Sequence, residues 1–546
     1  MHMLKLLDAA SRLQLGEPAD LIRFHELLLF IRAYPQNSAV LRKSDELLKT
    51  FSPRVGEIGS DDDAFNEEEA AGIAGTAIDA AFSYDIVRWL AQAHPGEIEI
   101  DWDGYENWDR LGATLPRFLP LLEEDALVEA NVPFLTWIEQ AWGKGADQFS
   151  ALLRAFENLP CSPQQKAELF ASLGLSVRWE LKDSPASRTH MRWPADKSFY
   201  HSGALLRRSD VSLEAELNAP ALAIEKLSPR DGQSIINMTR DASVVRYREL
   251  YGFTYGDPQR VFRADAGRGL EIFVFGVPPE RRLPLRAYHA GFFVKNGVPI
   301  GYVETLTLFE RIEIGFNLYY TFRDGESAWL YAQMLRVFRQ LLGVSCVSVD
   351  PYQIGLHNRE AIDSGAFWFY RKLGFRPVRP DLARLTASEE KKIRTKSGYR
   401  TSPQILKRLS TGPMIYEAPG DPSGNWDRFL VRHLGYVVQR KMAEGFNGDA
   451  HRFRREAVSQ AESALGMNPP NPGTHERNSF ENFALLLALI PDFQNWPAEQ
   501  KRRVSAVIEA KMADGDDLSE LEYVRLLNAT PRLRQHVIEI GSVDSA

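Results

Sequence analysis

Hydrophobic positions fall into three successive textures along the chain. Up to about residue 220 they recur mostly at helical spacing. Leu21, Phe24, Leu28 and Ile31 share one face, because side chains three and four apart on a helix stack on one side. Residues Gly16 to Asp20 give a start signal, and a second helix is expected from about Asn37 to Thr50. The acidic stretch Ser60 to Glu69 reads as a solvated loop or helix start. Glu97 to Trp102 alternates like a short strand, and helical patterns resume between about Arg117 and Leu173. The polar stretch Asp183 to Gly203 has no periodicity and reads as a long connecting loop.

The texture changes near Ala221. Leu222 to Leu227 is strand-like, and Ser228-Pro229-Arg230-Asp231 then combines a serine cap, a proline at the first helical position and an acid three residues on. Strand-like runs follow at Glu271 to Phe275, Tyr288 to Val294, Ile300 to Phe309 and Ile312 to Tyr320. Asn296-Gly297 lies between two of them and is a hairpin signal. A helix is expected over Glu326 to Leu342, a strand over Val344 to Val349, and a helix over Ser364 to Leu373. Beyond Pro380 the pattern is helical again. Linker-like residues at Pro419 to Gly424 precede helices near Trp426 to Val437, Phe480 to Ile490, Ala498 to Lys511 and Leu518 to Leu527.

This order predicts an α+β chain of several domains. A mainly helical N-terminal domain spans 1–205 and a central mixed-sheet domain spans 221–380. A basic connecting segment (381–424) leads to a helical C-terminal domain (425–546). At 546 residues, the chain is long enough for two to four domains. A net charge of −8 does not point to nucleic acid, so none is expected as a partner. Cys161 and Cys346 are far apart, which argues against a disulfide framework or a zinc site. The histidines show no ligand spacing, so no metal is assigned. The N-terminus lacks a basic segment followed by an apolar run, and no stretch matches a spanning helix. A cytoplasmic location without membrane attachment is therefore expected.

The chemistry concentrates in three segments. Ser364-Gly-Ala-Phe-Trp-Phe-Tyr-Arg-Lys-Leu-Gly-Phe375 closes a helix into a strand. Phe322-Arg-Asp-Gly-Glu-Ser-Ala-Trp329 lies between a strand and a helix, where unpaired N–H groups and the dipole attract phosphate. Gly297 to Glu304 ends a hairpin, and the next strand carries Gly315, a residue that often marks a bulge or close backbone approach. Glu304 and Glu313 are carboxylates on these strands, suited to accept a proton.

The first of these segments resembles the cofactor-side helix end of the GNAT superfamily of N-acyltransferases, with Ala366, Tyr370, Lys372, Gly374 and Phe375 at matching positions. Asp363 takes the place of the family asparagine, and an Asn occurs upstream at Asn358. The second segment is similar to the family's pyrophosphate loop, with Arg323 and Ala328 matching and Glu326 standing where its first glycine belongs. The resemblance covers the central domain only. It implies a GNAT-like acyltransferase that uses acetyl-CoA or another acyl-CoA as co-substrate. Arg323, Gly325, Glu326, Ser327, Ala328 and Ala366 would hold the acyl donor. Tyr370 would be the general acid for the leaving thiolate, and Glu304 or Glu313 the base. Tyr251, in the aromatic segment Arg246 to Asp257, and Tyr352, Gln353 and Asn358, after the Val344 to Val349 strand, would border the acceptor. That acceptor would be an amine on a small molecule or a protein. The alternative expectation is a non-catalytic GNAT-like scaffold whose helical flanks bind a partner. The sequence leaves the oligomeric state open.

Overall fold

The strand-like runs of the central region assemble into one nine-stranded mixed sheet. The computed structural model describes residues 2–13, 15–59, 63–67, 69–120, 133–144, 147–195, 197–419, 424–513 and 520–542. Five expected segments lie partly outside those residues: Ser60 to Glu69, Arg117 to Leu173, Asp183 to Gly203, Pro419 to Gly424, and the start of the Leu518 to Leu527 helix. The fold is mixed α/β. Among the described residues no helix is long and apolar enough to cross a membrane.

A small sheet near the N-terminus contains β1 (Ala77–Ala81), β2 (Ile98–Ile100) and β3 (Ser176–Glu180) in the antiparallel order β1-β3-β2. Only β2 was legible in the sequence. The large sheet contains β4 (Ala223–Lys226), β5 (Val261–Gly267), β6 (Leu270–Phe275), β7 (Ala287–Lys295), β8 (Val298–Leu308), β9 (Arg311–Leu318), β10 (Cys346–Val349), β11 (Arg376–Pro377) and β12 (Met414–Glu417). Its order is β4-β5-β6-β7-β8-β9-β10-β12-β11. Every neighbouring pair is antiparallel except β9 and β10, which are parallel.

The hairpin between β7 and β8 turns at Asn296 (φ 49°) and Gly297 (φ 82°), the paired positive φ values that favour Asn-Gly. Its tip is buried. The Asn296 side chain donates to the Ala33 carbonyl (2.8 Å) and accepts from the Phe199 amide (2.7 Å). The stretch expected as a plain loop thus threads through the interior, with Ser187, Arg188, Thr189 and His201 all buried.

Six helices matter for the site: α1 (Pro18–Ala33), α2 (Pro229–Val244), α3 (Tyr251–Tyr255), α4 (Ser327–Leu342), α5 (Arg359–Asp363) and α6 (Ala366–Lys372). The cap that starts α2 forms as its sequence predicts: Ser228 accepts from the Asp231 amide, with Pro229 at the first position. Helices from both ends of the chain, α1 and Glu520–Asn528, pack on β8. β7 is consequently buried along its whole length. Complete burial of Phe273, Phe275, Phe292 and Phe293 stabilises the sheet by roughly 1.5–3 kcal/mol each.

Apolar residues of the region 1–205 divide between two cores: α1 and Ser38–Lys49 join the core of the large sheet, while the small sheet and its helices form a second. In the segment expected as a connector, β12 inserts between β10 and β11. The C-terminal helices belong to the main core as well. They are tied to the sheet by Arg534 on Glu310, by the Trp426 indole on Glu310 (2.6 Å) and by Lys511 on the Arg286 carbonyl (3.1 Å).

Candidate functional site

β9 and β10 pair only where Arg311, Ile312 and Glu313 oppose Cys346, Val347 and Ser348. Beyond Glu313 the two strands part. β9 runs on to Leu318 against β8 alone, leaving backbone N–H and C=O groups along an open edge. A cleft of about 1230 Å³ occupies the space. Gly315 to Leu318 of β9 form one side of it, and the segment after β10 forms the other.

Each wall is set by local chemistry. Asp350 accepts from the Tyr352 amide (2.8 Å) and closes a short turn, Pro351–Ile354, that presents Tyr352 and Gln353. Asn358 caps α5 by accepting from the Ala361 amide (3.0 Å). Gly365, at φ 69°, breaks the chain between α5 and α6, a conformation that suits a residue without Cβ. From α6, Ala366, Phe369 and Tyr370 face the cleft. On the strand side, Glu304 of β8 lies directly opposite Gly315. Opposed residues share a face, so the missing side chain at Gly315 leaves room beside the Glu304 carboxylate.

Polar partners fix this arrangement. The Tyr288 phenol accepts from the Gly252 amide (2.8 Å) and donates to Glu304 (2.5 Å). Burial and the neighbouring Glu304 push that phenol well above its ordinary pKa, so it stays a donor. Tyr302 accepts from Arg248 (2.8 Å) and from Asn317 (3.2 Å). Tyr370 is buried, which raises the pKa of its phenol, and among the described residues its hydroxyl has no hydrogen-bond partner. Arg323 donates to the Leu318 carbonyl (3.2 Å) and is paired with Glu360 at the cleft rim.

The start of α4 meets the same cleft through Ser327. Glu326 gives no capping hydrogen bond, and the first intrahelical bond runs from the Leu330 amide to the Glu326 carbonyl (2.9 Å). The amides before it are the unpaired donors of a helix start. Gly325, Ser327 and Ala328 also line a smaller cavity of about 360 Å³, whose other side holds Arg207 and Arg208.

The cleft therefore gathers Tyr370, Glu304, Arg323, Ser327, Ala366, Tyr352, Gln353 and Asn358. Five other candidates lie outside its lining. Glu313 pairs with Arg286 (3.7 Å) and Arg311 (3.5 Å), on the part of β9 still joined to β10. Tyr251 meets Tyr288 edge to face (5.2 Å between centroids) and donates to the Arg281 carbonyl, one layer behind Glu304. Gly325 and Ala328 face the smaller cavity. Glu326 turns away into the core, where it is fully buried, meets Lys295 at 3.1 Å, pairs with Arg268 and accepts from the Leu206 amide.

Sequence reasoning missed Tyr302, Arg248, Asn317 and Tyr320, which also line the cleft, and a second cavity of about 380 Å³ that continues from it. Arg188, Arg246 and Tyr319 line that cavity. Arg246 begins the aromatic segment noted in the sequence, but nothing local marked its side chain. Among the described residues no group of three His, Cys, Asp or Glu is placed to hold a metal. Comparison of the chain with protein-family models, curated proteins and solved structures gives no match.

Proposed function

We propose that this chain is an acyl-CoA-dependent N-acyltransferase working in the cleft between β9 and β10. The observation that carries the reading is the parting of two parallel strands where α4 begins, with Tyr370 on the opposite wall. An open strand edge offers main-chain hydrogen bonds to an extended ligand, as in strand addition. The uncapped start of α4 offers amides and a positive dipole end to a phosphate. These are the two needs of a pantetheine arm ending in a pyrophosphate. The family resemblance concerns segments that line this cleft, through Arg323, Ala366 and Tyr370.

In this reading the acceptor nitrogen attacks the thioester carbonyl carbon. A C–N bond forms and the C–S bond breaks. Glu304 takes a proton from the attacking nitrogen, and the departing thiolate takes the proton of the Tyr370 phenol. Burial favours the neutral phenol, so Tyr370 holds its proton until the thiolate develops. Glu326 stands where the family's pyrophosphate loop has its first glycine, and a carboxylate there would oppose a phosphate. Its carboxylate is engaged by Lys295 and Arg268 instead of facing the cleft, so it places no negative charge against a phosphate bound there.

Calorimetry of the full chain with acetyl-CoA and longer acyl-CoAs tests the reading first, and thiol release with a panel of amines tests turnover. Binding is expected. Tyr370→Phe should lower turnover roughly a hundredfold or more and leave acetyl-CoA affinity within about twofold. Absence of binding by every acyl-CoA would overturn the reading, and unchanged turnover in Tyr370→Phe would remove that residue from the chemistry.

A further inference from the structure

Three distant segments meet at the second cavity: Arg188 from the buried loop, Arg246 after α2, and Tyr319 after β9. All three are more than nine-tenths buried. Arg188 has its counter-charge, since Glu26 of α1 grips it at 2.7 Å through both oxygens. Its Nε, however, is buried without a hydrogen-bond partner. The Tyr319 hydroxyl is likewise buried and unpartnered.

Arg246 is the unusual group. It donates to the Ala242 carbonyl of α2 (2.7 Å), and its guanidinium lies 3.8 Å from the centre of the Tyr319 ring. Among the described residues no carboxylate pairs with it. A buried cation without a counter-ion is costly. Burial depresses its pKa to about 10, which still leaves it charged at neutral pH. The other arginines at this cavity are engaged: Arg323 with Glu360, and Arg248 with Tyr302. Arg246 thus meets only a carbonyl and a ring face, beside a hydroxyl and an N–H that lack partners.

We propose that the acceptor of the acyl group is an amine that also carries a carboxylate, bound with that carboxylate on Arg246 and Tyr319. The inference rests on the acyltransferase reading for the role of the amine. A buried guanidinium that no carboxylate pairs with among the described residues matches a negatively charged group. A guanidinium and a phenol together supply the charge-assisted hydrogen bonds that a carboxylate accepts. Asn317, Tyr320 and Arg323 line both spaces, so one small molecule can place its acid at Arg246 and its amine toward Glu304. Glu67 and Glu69, also on the cavity lining, disfavour ligands with several negative charges.

The test uses the full chain, acetyl-CoA, and amino acids paired with their carboxamides, among them glycine with glycinamide and β-alanine with its amide. Thermal shift and calorimetry read binding without acetyl-CoA, and thiol release reads transfer. At least one acid is expected to bind and to be acetylated at least about tenfold more efficiently than its amide. Arg246→Gln should bring that ratio close to one without changing acetyl-CoA affinity, and Arg246→Lys should restore part of it. Tyr319→Phe, which keeps the ring under the guanidinium, should weaken acid binding severalfold. The proposal is overturned if no acid binds, if acids and amides are equivalent, or if Arg246→Gln leaves the preference intact. Acids that bind through Arg246 in a protein indifferent to acyl-CoA would uphold the anion pocket and sink the acyltransferase reading. Turnover indifferent to the carboxylate would do the reverse.

Discussion

Glu326 and Lys295 form a buried ion pair whose coupling can be worked out from its surroundings. Both side chains are fully inaccessible, and they meet at 3.1 Å. Lys295 lies over the rings of Tyr34 (5.0 Å) and Trp329 (5.4 Å), but Glu326 is its only anionic contact among the described residues. Glu326 has further support from Arg268 and the Leu206 amide. The two single substitutions should therefore be unequal. Glu326→Leu strands a fully buried ammonium and should cost about 3–5 kcal/mol. Lys295→Met leaves the carboxylate held by Arg268 and should cost less, about 1–2 kcal/mol. The double variant replaces the pair by apolar groups and should recover much of the loss, giving a coupling energy of roughly 2 kcal/mol or more. Urea midpoints followed by tryptophan fluorescence supply the four corners of this cycle. If the two losses simply add, or if Lys295→Met proves the worse, the pair does not anchor the start of α4 and the argument fails.

Two further outcomes follow from single positions. A Cβ placed on Gly315 would lie 3.5 Å from the Gln353 amide, an ordinary contact. Gly315→Val should accordingly fold, while its branches fill the cleft beside Glu304; calorimetry should show acetyl-CoA affinity at least about tenfold weaker, and undiminished affinity would mean that the ligand does not run along β9. Burial opposes ionisation of Glu26, but Arg188 and hydrogen bonds from His25 and Thr321 outweigh it and hold the carboxyl at about 2. In the window between its ordinary pKa of 4.5 and that value the unfolded chain binds the extra proton, so the stabilisation is present above the window and is lost as the pH falls through it. It amounts to on the order of 3 kcal/mol. Urea midpoints of the native chain and of Glu26→Gln should therefore draw together as the pH falls from about 5 to about 2; a gap independent of pH would count against the Glu26–Arg188 pair as its source.

What the sequence determined by itself is local. The Ser228-Pro229 start of α2, the Asn-Gly turn between β7 and β8, and the run of strands from β6 to β9 were all legible, because cap chemistry, turn chemistry and apolar pattern act over a few residues. The helix that ends before Gly374 and Phe375 was legible for the same reason, while Tyr370 was singled out by the family resemblance. Tertiary structure decided what depends on partners distant in the chain. Four residues, Met-Ile-Tyr-Glu, are too few to announce a strand, yet β12 forms because β10 and β11 offer it a ladder on both sides. The direction of Glu326 was set by Lys295 and Arg268, whose positions come from two other turns of the sheet. The cavity of Arg188, Arg246 and Tyr319 joins segments separated by more than fifty residues, and the burial of the Arg246 guanidinium there exists only in the folded chain. Local pattern fixes where a residue's backbone goes. Desolvation and charge pairing in the assembled interior decide what its side chain faces.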